Sequence, residues 1–276
     1  MICLIASGDY FSNYGGGQIY VRHLARGLTA HGDVCVVSIA TGSASQQSLQ
    51  QHDDDGLAVW QLHVDGRLAD SRQPLELQPG VLQPLKALLK QISPQLVHAH
   101  GWKAATATVC RQLDMPCVIT AHHGGIVCPN GTLLNQHHQL CQVPVSRKAC
   151  LSCTLHTAPG GRAWGPVVKA LPQPLAAGRL LHQVRNIPYT SPAFKQPLAI
   201  ANKQAFIEVL TTCPDAVVAP SHAIADALVR NGVPAASVVV IPHGIPLPER
   251  KPLQQGLGRR PLRFVYVGRI SRVKGL

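Results

Sequence analysis

Short apolar runs alternate along this chain with stretches whose apolar residues recur every three or four positions. No other feature constrains the fold as much. Ile2–Ala6, Val34–Ile39, Leu57–Val64, Leu96–Ala99, Cys117–Thr120, Ala216–Ala219 and Val238–Ile241 read as strands. Between them, Ile19, Val21, Leu24 and Leu28 fall at helical spacing with Gly32 as a stop. Val81, Leu82, Leu85, Leu88, Leu89 and Ile92 do the same, and Ala104–Leu113 and Ala223–Asn231 read as further helices. Ser43–Gly56 is polar, with successive aspartates, and reads as a loop; the stretch from Gly124 to about Pro174 reads as irregular, followed by a helical region. Strands that are apolar on both faces and alternate with helices predict an α/β fold, a parallel sheet with helices on both sides. Residues 1–241 are expected to form that domain. Pro242–Pro261 is proline-rich and carries the basic pair Arg259 and Arg260, so it reads as a linker.

Ligands of such folds sit beyond the carboxyl ends of the strands, so the residues just after each strand carry the functional reading. Tyr14-Gly15-Gly16-Gly17-Gln18 follows the first strand and opens a helix, where the backbone can approach a ligand and the helix terminus favours an anion. His98-Ala99-His100-Gly101-Trp102 and Thr120-Ala121-His122-His123-Gly124 end two later strands, so their histidines should face one crevice. Metal binding by these histidines is not expected, since no carboxylate lies near them in sequence. Ser221 is placed to cap a helix, and Pro242-His243-Gly244-Ile245 follows the last strand of the domain. Beyond the linker, Leu262–Val267 reads as a strand running into Gly268-Arg269 and then Lys274-Gly275. A strand entering a glycine turn with two fixed cations is how an α/β domain begins to hold a diphosphate. The expectation is that residues 262–276 are the truncated start of a second domain.

The Gly15-Gly16 turn, the His98/His100 strand end, Thr120-Ala121-His122, Ala219-Pro220-Ser221, Pro242-His243-Gly244-Ile245 and Gly268-Arg269…Lys274-Gly275 occur in an order that resembles family 4 of the nucleotide-sugar glycosyltransferases. The resemblance implies the GT-B arrangement, two Rossmann-like domains facing a cleft, with this chain supplying the N-terminal, acceptor-side domain. It implies a retaining transfer of sugar from a nucleotide-diphosphate donor to a hydroxyl of a lipid-linked or saccharide acceptor, in cell-surface polysaccharide or glycolipid synthesis. No cofactor is implied for the chemistry. By the same resemblance His122 contacts the donor sugar at the reacting centre, and Gly15, Gly16, Arg269 and Lys274 surround the donor phosphates. Gln18, His100 and Ser221 line the acceptor side of the cleft. The family's paired glutamates do not occur in this chain, so the chain by itself is expected to be inactive. Two other readings stay open: a non-catalytic, zinc-stabilised module binding anionic membrane or nucleic acid, and a sugar-nucleotide epimerase of GT-B architecture.

Cys128, Cys141, Cys150 and Cys153 lie in the irregular insertion 124–174, the last two as a C-x-x-C pair. Four thiolates suit a closed structural zinc site, with His122, His123, His137 or His138 as a substitute ligand; an occasional disulfide and free thiols are the alternatives. Cys3 and Cys35 fall in apolar strands and read as small core residues.

The net charge of +12 is uneven. Residues 1–140 carry 8 Lys/Arg against 9 Asp/Glu, residues 141–276 carry 17 against 4, and Gln142–Ile207 holds eight cations and no acid. A one-sign field of this size implies an anionic partner. Leu180, Leu181, Val184 and Ile187 are spaced for an amphipathic helix among those cations, so peripheral association with an anionic membrane is expected, the rival being a solvated face. Nucleic acid is not expected as a partner, because aromatics make up only 4% of the chain and few are available to stack on bases. No apolar run approaches the ~18 residues of a membrane span. The first residues do not read as a signal peptide, and nine cysteines without one suggest a reducing, cytoplasmic compartment.

Overall fold

The computed structural model describes residues 1–12, 15–42, 48–66, 73–171, 192–244 and 265–266. Met1–His243 form one compact unit and Gly244–Leu276 another. The larger unit contains β1 (Ile2–Ser7), α1 (Gly16–Leu28), β2 (Val34–Gly42), β3 (Ser48–Asp54), β4 (Leu57–Asp65), α2 (Pro79–Ile92), β5 (Leu96–Ala99) and α3 (Lys103–Leu113). It continues with β6 (Cys117–Thr120), α4 (Arg147–Thr157), α5 (Gly161–Ala170), α6 (Gln196–Thr212), β7 (Ala216–Ala219), α7 (His222–Arg230) and β8 (Val238–Val240). The strands form one sheet in the order β3-β4-β2-β1-β5-β6-β7-β8. Every pairing is parallel except that of β3 with β4. The sheet is therefore wound from β1 outward in both directions, which makes the gap between β1 and β5 the topological switch point.

The continuous apolar character of the inner strands has a direct cause. Along β1, Cys3 and Ile5 belong to a core shared with Val81 and Leu85 of α2 and Ala105 and Val109 of α3. Leu4 and Ala6 belong to a separate core with Val21 and Ala25 of α1. Alternate side chains enter opposite faces of the sheet, and both faces are covered. Cys3 and Cys35 are buried there, as expected of small core residues. A third, smaller core joins Cys150, Leu151 and Leu155 of α4, Val168 of α5 and Ile200 of α6.

Three local expectations are corrected. Residues 48–54, read as loop, form β3, an antiparallel edge strand whose residues are exposed apart from its ends. With no buried face there is no apolar alternation to read. The hairpin signal lay in Asp55-Gly56, whose φ values of 56° and 85° supply the two positive angles that a tight hairpin turn requires. The stretch from Gly124, read as irregular, contains α4 and α5. Ser146 caps α4, its hydroxyl accepting from Ala149 N at 3.1 Å. Ser221 does occupy the N-cap position of α7, but its side chain makes no capping hydrogen bond.

The expected strand Leu262–Val267 apart from Val265 and Tyr266, the Gly268–Gly275 motif and most of the linker lie outside the described residues, as do Leu180, Leu181, Val184 and Ile187. Val265 and Tyr266 are exposed and not in a strand. Among the described residues no helix is long and apolar enough to cross a membrane.

Candidate active site

Ile5 pairs with Ala99, and Ala99 with Ile119. The residues that leave β1, β5 and β6 therefore emerge side by side at the switch point. The turn after β5 is held against β1, because His100 N and Gly101 N both donate to Ile5 O, at 2.9 and 3.0 Å. A Cβ on Gly101 would collide with the Oγ, backbone N and Cβ of Ser7, so the close approach requires glycine. Trp102 follows with φ of 47°, an unusual angle for a large residue, and its indole donates to Ile39 O at 2.8 Å. That bond anchors the turn to the end of β2.

This turn aims a row of imidazoles. His98 Nε2 lies 2.8 Å from Thr120 Oγ1, His100 Nδ1 lies 3.1 Å from His122 Nε2, and His122 Nδ1 lies 3.2 Å from His243 Nε2. Tyr20 of α1 packs its ring against His100, His122 and His243, with centroids 5.6, 5.3 and 4.5 Å away. Burial pushes the His98 imidazole down to about 4. Burial, followed by the nearby Lys103 charge, pushes His122 down to about 3. Burial, with the adjoining His98 and His122 rings and the Lys103 charge adding to it, holds His100 far below the usual range. These three rings are neutral at pH 7 and act as hydrogen-bonding groups, not as cations. His100 Nε2 is buried without a hydrogen-bond partner.

Of the expected site residues, His100 and His122 are brought into contact. Gly15 is the N-cap of α1, Gly16 begins the helix, and Gln18 reaches back to Ser7 O at 3.2 Å. Ser221 is exposed at the start of α7. Arg269 and Lys274 lie outside the described residues. Reading the sequence missed Tyr20 and assigned no role to His243. Tyr20 carried no signal, since it sits within a helical stripe; His243 did, since it follows a strand.

Cys128, Cys141, Cys150 and Cys153 line a single cavity of about 80 Å³. Among the described residues, no three His, Cys, Asp or Glu side chains stand close enough to hold a metal ion. Burial raises the Cys150 and Cys153 thiols above their usual range, with the neighbouring cysteines contributing.

A doubly wound α/β domain with a polar cluster at its switch point defines a protein that binds a ligand across the carboxyl ends of its strands. Residues 14–248 match the family model described as Glycosyltransferase Family 4, and the chain belongs to that family. No curated protein matches it. Among solved structures it is similar to Anabaena Alr3699/HepE in complex with UDP (12% identity, 89% of this chain and 44% of that one, TM-score 0.43). It is also similar to a sucrose-phosphate synthase from Thermosynechococcus elongatus (15% identity, 88% of each chain, TM-score 0.42). A third is a ugt transferase from Siraitia grosvenorii in complex with UDP (10% identity, 88% of this chain and 51% of that one, TM-score 0.40). The chain thus spans less than half the length of the HepE structure.

Proposed function

We propose that this chain supplies the acceptor-side domain of a glycosyltransferase that moves a sugar from a nucleotide-diphosphate donor to a hydroxyl, with retention at the anomeric carbon. The observation that carries this reading is the row His100–His122–His243 at the switch point of a family 4 chain. In this reading His122 hydrogen-bonds the donor sugar beside the reacting carbon. Its contact with His243 is on the exposed side of the row, so that is the bond a sugar hydroxyl replaces. His100 holds the opposite nitrogen and fixes the plane of the ring. A neutral imidazole does this without placing a second positive charge beside an anomeric carbon that becomes cationic. Gly15 and Gly16 begin α1, where bare backbone at a helix N-terminus would admit the donor phosphates. Arg269 and Lys274 neutralise the departing diphosphate. The acceptor is a saccharide or a lipid-linked saccharide.

Two accessory features belong to the same reading. The cavity shared by the four cysteines supports a structural zinc site; closing four thiolates on the ion at ~2.3 Å draws the sulfurs into that space. No catalytic step runs through it. The exposed Trp164 and Val167 of α5, with Arg162 and Lys169 on the same helix, support docking on an anionic membrane from the cytoplasmic side.

The test is transfer by the protein expressed from its gene, with labelled nucleotide sugars and saccharide or lipid-linked acceptors, and the product's anomeric configuration read by NMR. The account predicts a glycoside of the donor's configuration. Inverted product removes the retaining mechanism, and hydrolysis or epimerisation without transfer removes the glycosyltransferase reading.

A further inference from the structure

His122 also lines a cavity of about 310 Å³ whose other residues the catalytic reading does not use. Its size is at the lower end of small-molecule sites, roughly 300–1,000 Å³. Its lining includes Lys103 from the start of α3, Asn202 and Lys203 from α6, Glu76, and the strand-end residues His122 and His123. Lys103 Nζ donates to His100 O, and Lys203 Nζ donates to Gly125 O at 2.6 Å. Each ammonium has donors to spare, since it carries three.

The charge around this cavity does not balance. Glu76 is the acid that lines it among the described residues. Its Oε2 is committed elsewhere, accepting from Ala104 N at 2.7 Å and Ala105 N at 3.4 Å, where it caps α3 in place of Trp102, whose side chain makes no cap bond. Among the described residues neither lysine lies within ion-pair distance of a carboxylate. Two ammonium groups thus share one carboxylate, which leaves one positive charge in excess, and burying unbalanced charge is costly. Burial holds Lys103 down to about 8 and Lys203 below its usual value, while the Glu76 carboxylate acts on both in the opposite direction. Asn202 adds a second demand: its Oδ1 is buried with no hydrogen-bond partner.

We infer that this cavity is an acceptor subsite for a sugar bearing an oxyanion, a carboxylate or a phosphate, with Lys103 and Lys203 on the anion and Asn202 on a sugar hydroxyl. The inference rests on the glycosyltransferase reading for the word acceptor, but the binding site stands on its own geometry. An oxyanion supplies the missing negative charge to two ammonium groups, and a hydroxyl supplies the donor that Asn202 lacks. Neutral sugars meet the second demand and not the first. The position against His122 sets the bound sugar next to the donor.

The experiment measures the affinity of the full chain for glucuronate, glucose 6-phosphate, glucose and inorganic phosphate by NMR, following the imidazole signals of His122 and His123. At least one of the two anionic sugars is expected to bind tenfold or more tighter than glucose, and which one does so tells carboxylate from phosphate. Lys103→Met and Lys203→Gln should each reduce that preference several-fold. Asn202→Leu should weaken both the anionic sugar and glucose, whose hydroxyls Asn202 would otherwise accept from. Equal affinity for glucose and both anionic sugars overturns the inference, and this arm needs no variant to fold. So does a preference that survives both lysine substitutions. Anionic-sugar binding by the chain, with no transfer by the protein expressed from its gene, keeps the subsite and rejects the glycosyltransferase reading; transfer by that protein to neutral acceptors without anion preference does the reverse.

Discussion

The imidazole of His122 is bonded through both ring nitrogens, and its environment keeps it neutral. His98 shares that condition. A histidine whose folded pKa lies below its unfolded value of ~6.5 withholds a proton that the unfolded chain accepts. Stability from these two residues is therefore complete above about pH 6.5 and is lost as pH falls through about 4 for His98 and about 3 for His122. Each contributes a slope of up to about 1.4 kcal/mol per pH unit in its window. Urea midpoints taken from pH 7 to 4 should fall steadily, and less steeply in His98→Asn; a flat profile would show that the folded cluster takes up protons as readily as the unfolded chain does. Gly101 gives a second residue-scale outcome. Gly101→Ala forces a Cβ into Ser7 and should cost about 1–3 kcal/mol, as overpacking does, measured by urea unfolding. His100 and His122 were legible in the sequence because they follow apolar strands, and chemistry collects at strand ends. Lys203 was not. It was counted among the surface cations, yet it turns inward to Gly125 O, a contact between residues 78 positions apart that no local pattern records.

Among the elements, β5, β6 and β7 have the bounds that their apolar runs indicated, because buried strands have no choice of composition. β3 was hidden for the opposite reason: a polar edge strand satisfies the sheet with backbone alone. Its connection depends on the turn, with Arg26 Nη2 holding Asp54 at 3.1 Å from α1. Gly56→Val places a branched side chain at a φ of 85° and should destabilise the protein by about 1 kcal/mol or more, read as a shift in urea midpoint. α4 and α5 escaped notice because their apolar residues pack into a core of their own instead of repeating against the sheet. The zinc proposal belongs to this element. Protein purified without chelator should carry about one zinc per chain, and removing it should loosen residues 124–170 in hydrogen exchange. Metal analysis showing none would return the four cysteines to free thiols.

At the scale of the whole molecule, the basic half of the sequence divides in two. Arg147 donates to Val168 O and Leu171 O at 3.4 and 2.8 Å, and Lys203 faces the cavity beside His122, so these cations serve the interior. Lys148, Arg162, Lys169 and Lys195 are exposed and remain available to a surface partner. Sedimentation with anionic vesicles at low salt should carry the protein down, salt should release it, and Trp164→Ser should weaken it. Equal recovery with neutral vesicles would remove the membrane from the account. The doubly wound order was legible in outline, since alternating strands and helices admit few topologies. The shared crevice of His100 and His122 was legible, but the arrival of Tyr20 and His243 beside them was not, since it exists only once β1, β5, β6 and β8 lie in one sheet. That meeting is the central claim, and one measurement addresses it most directly: kcat/KM for sugar transfer by the protein expressed from its gene, in His122→Ala beside His52→Ala, a substitution on the exposed edge strand β3. The account predicts a loss of about 10²-fold or more at His122 and none beyond twofold at His52. Equal activity in the two variants would contradict it.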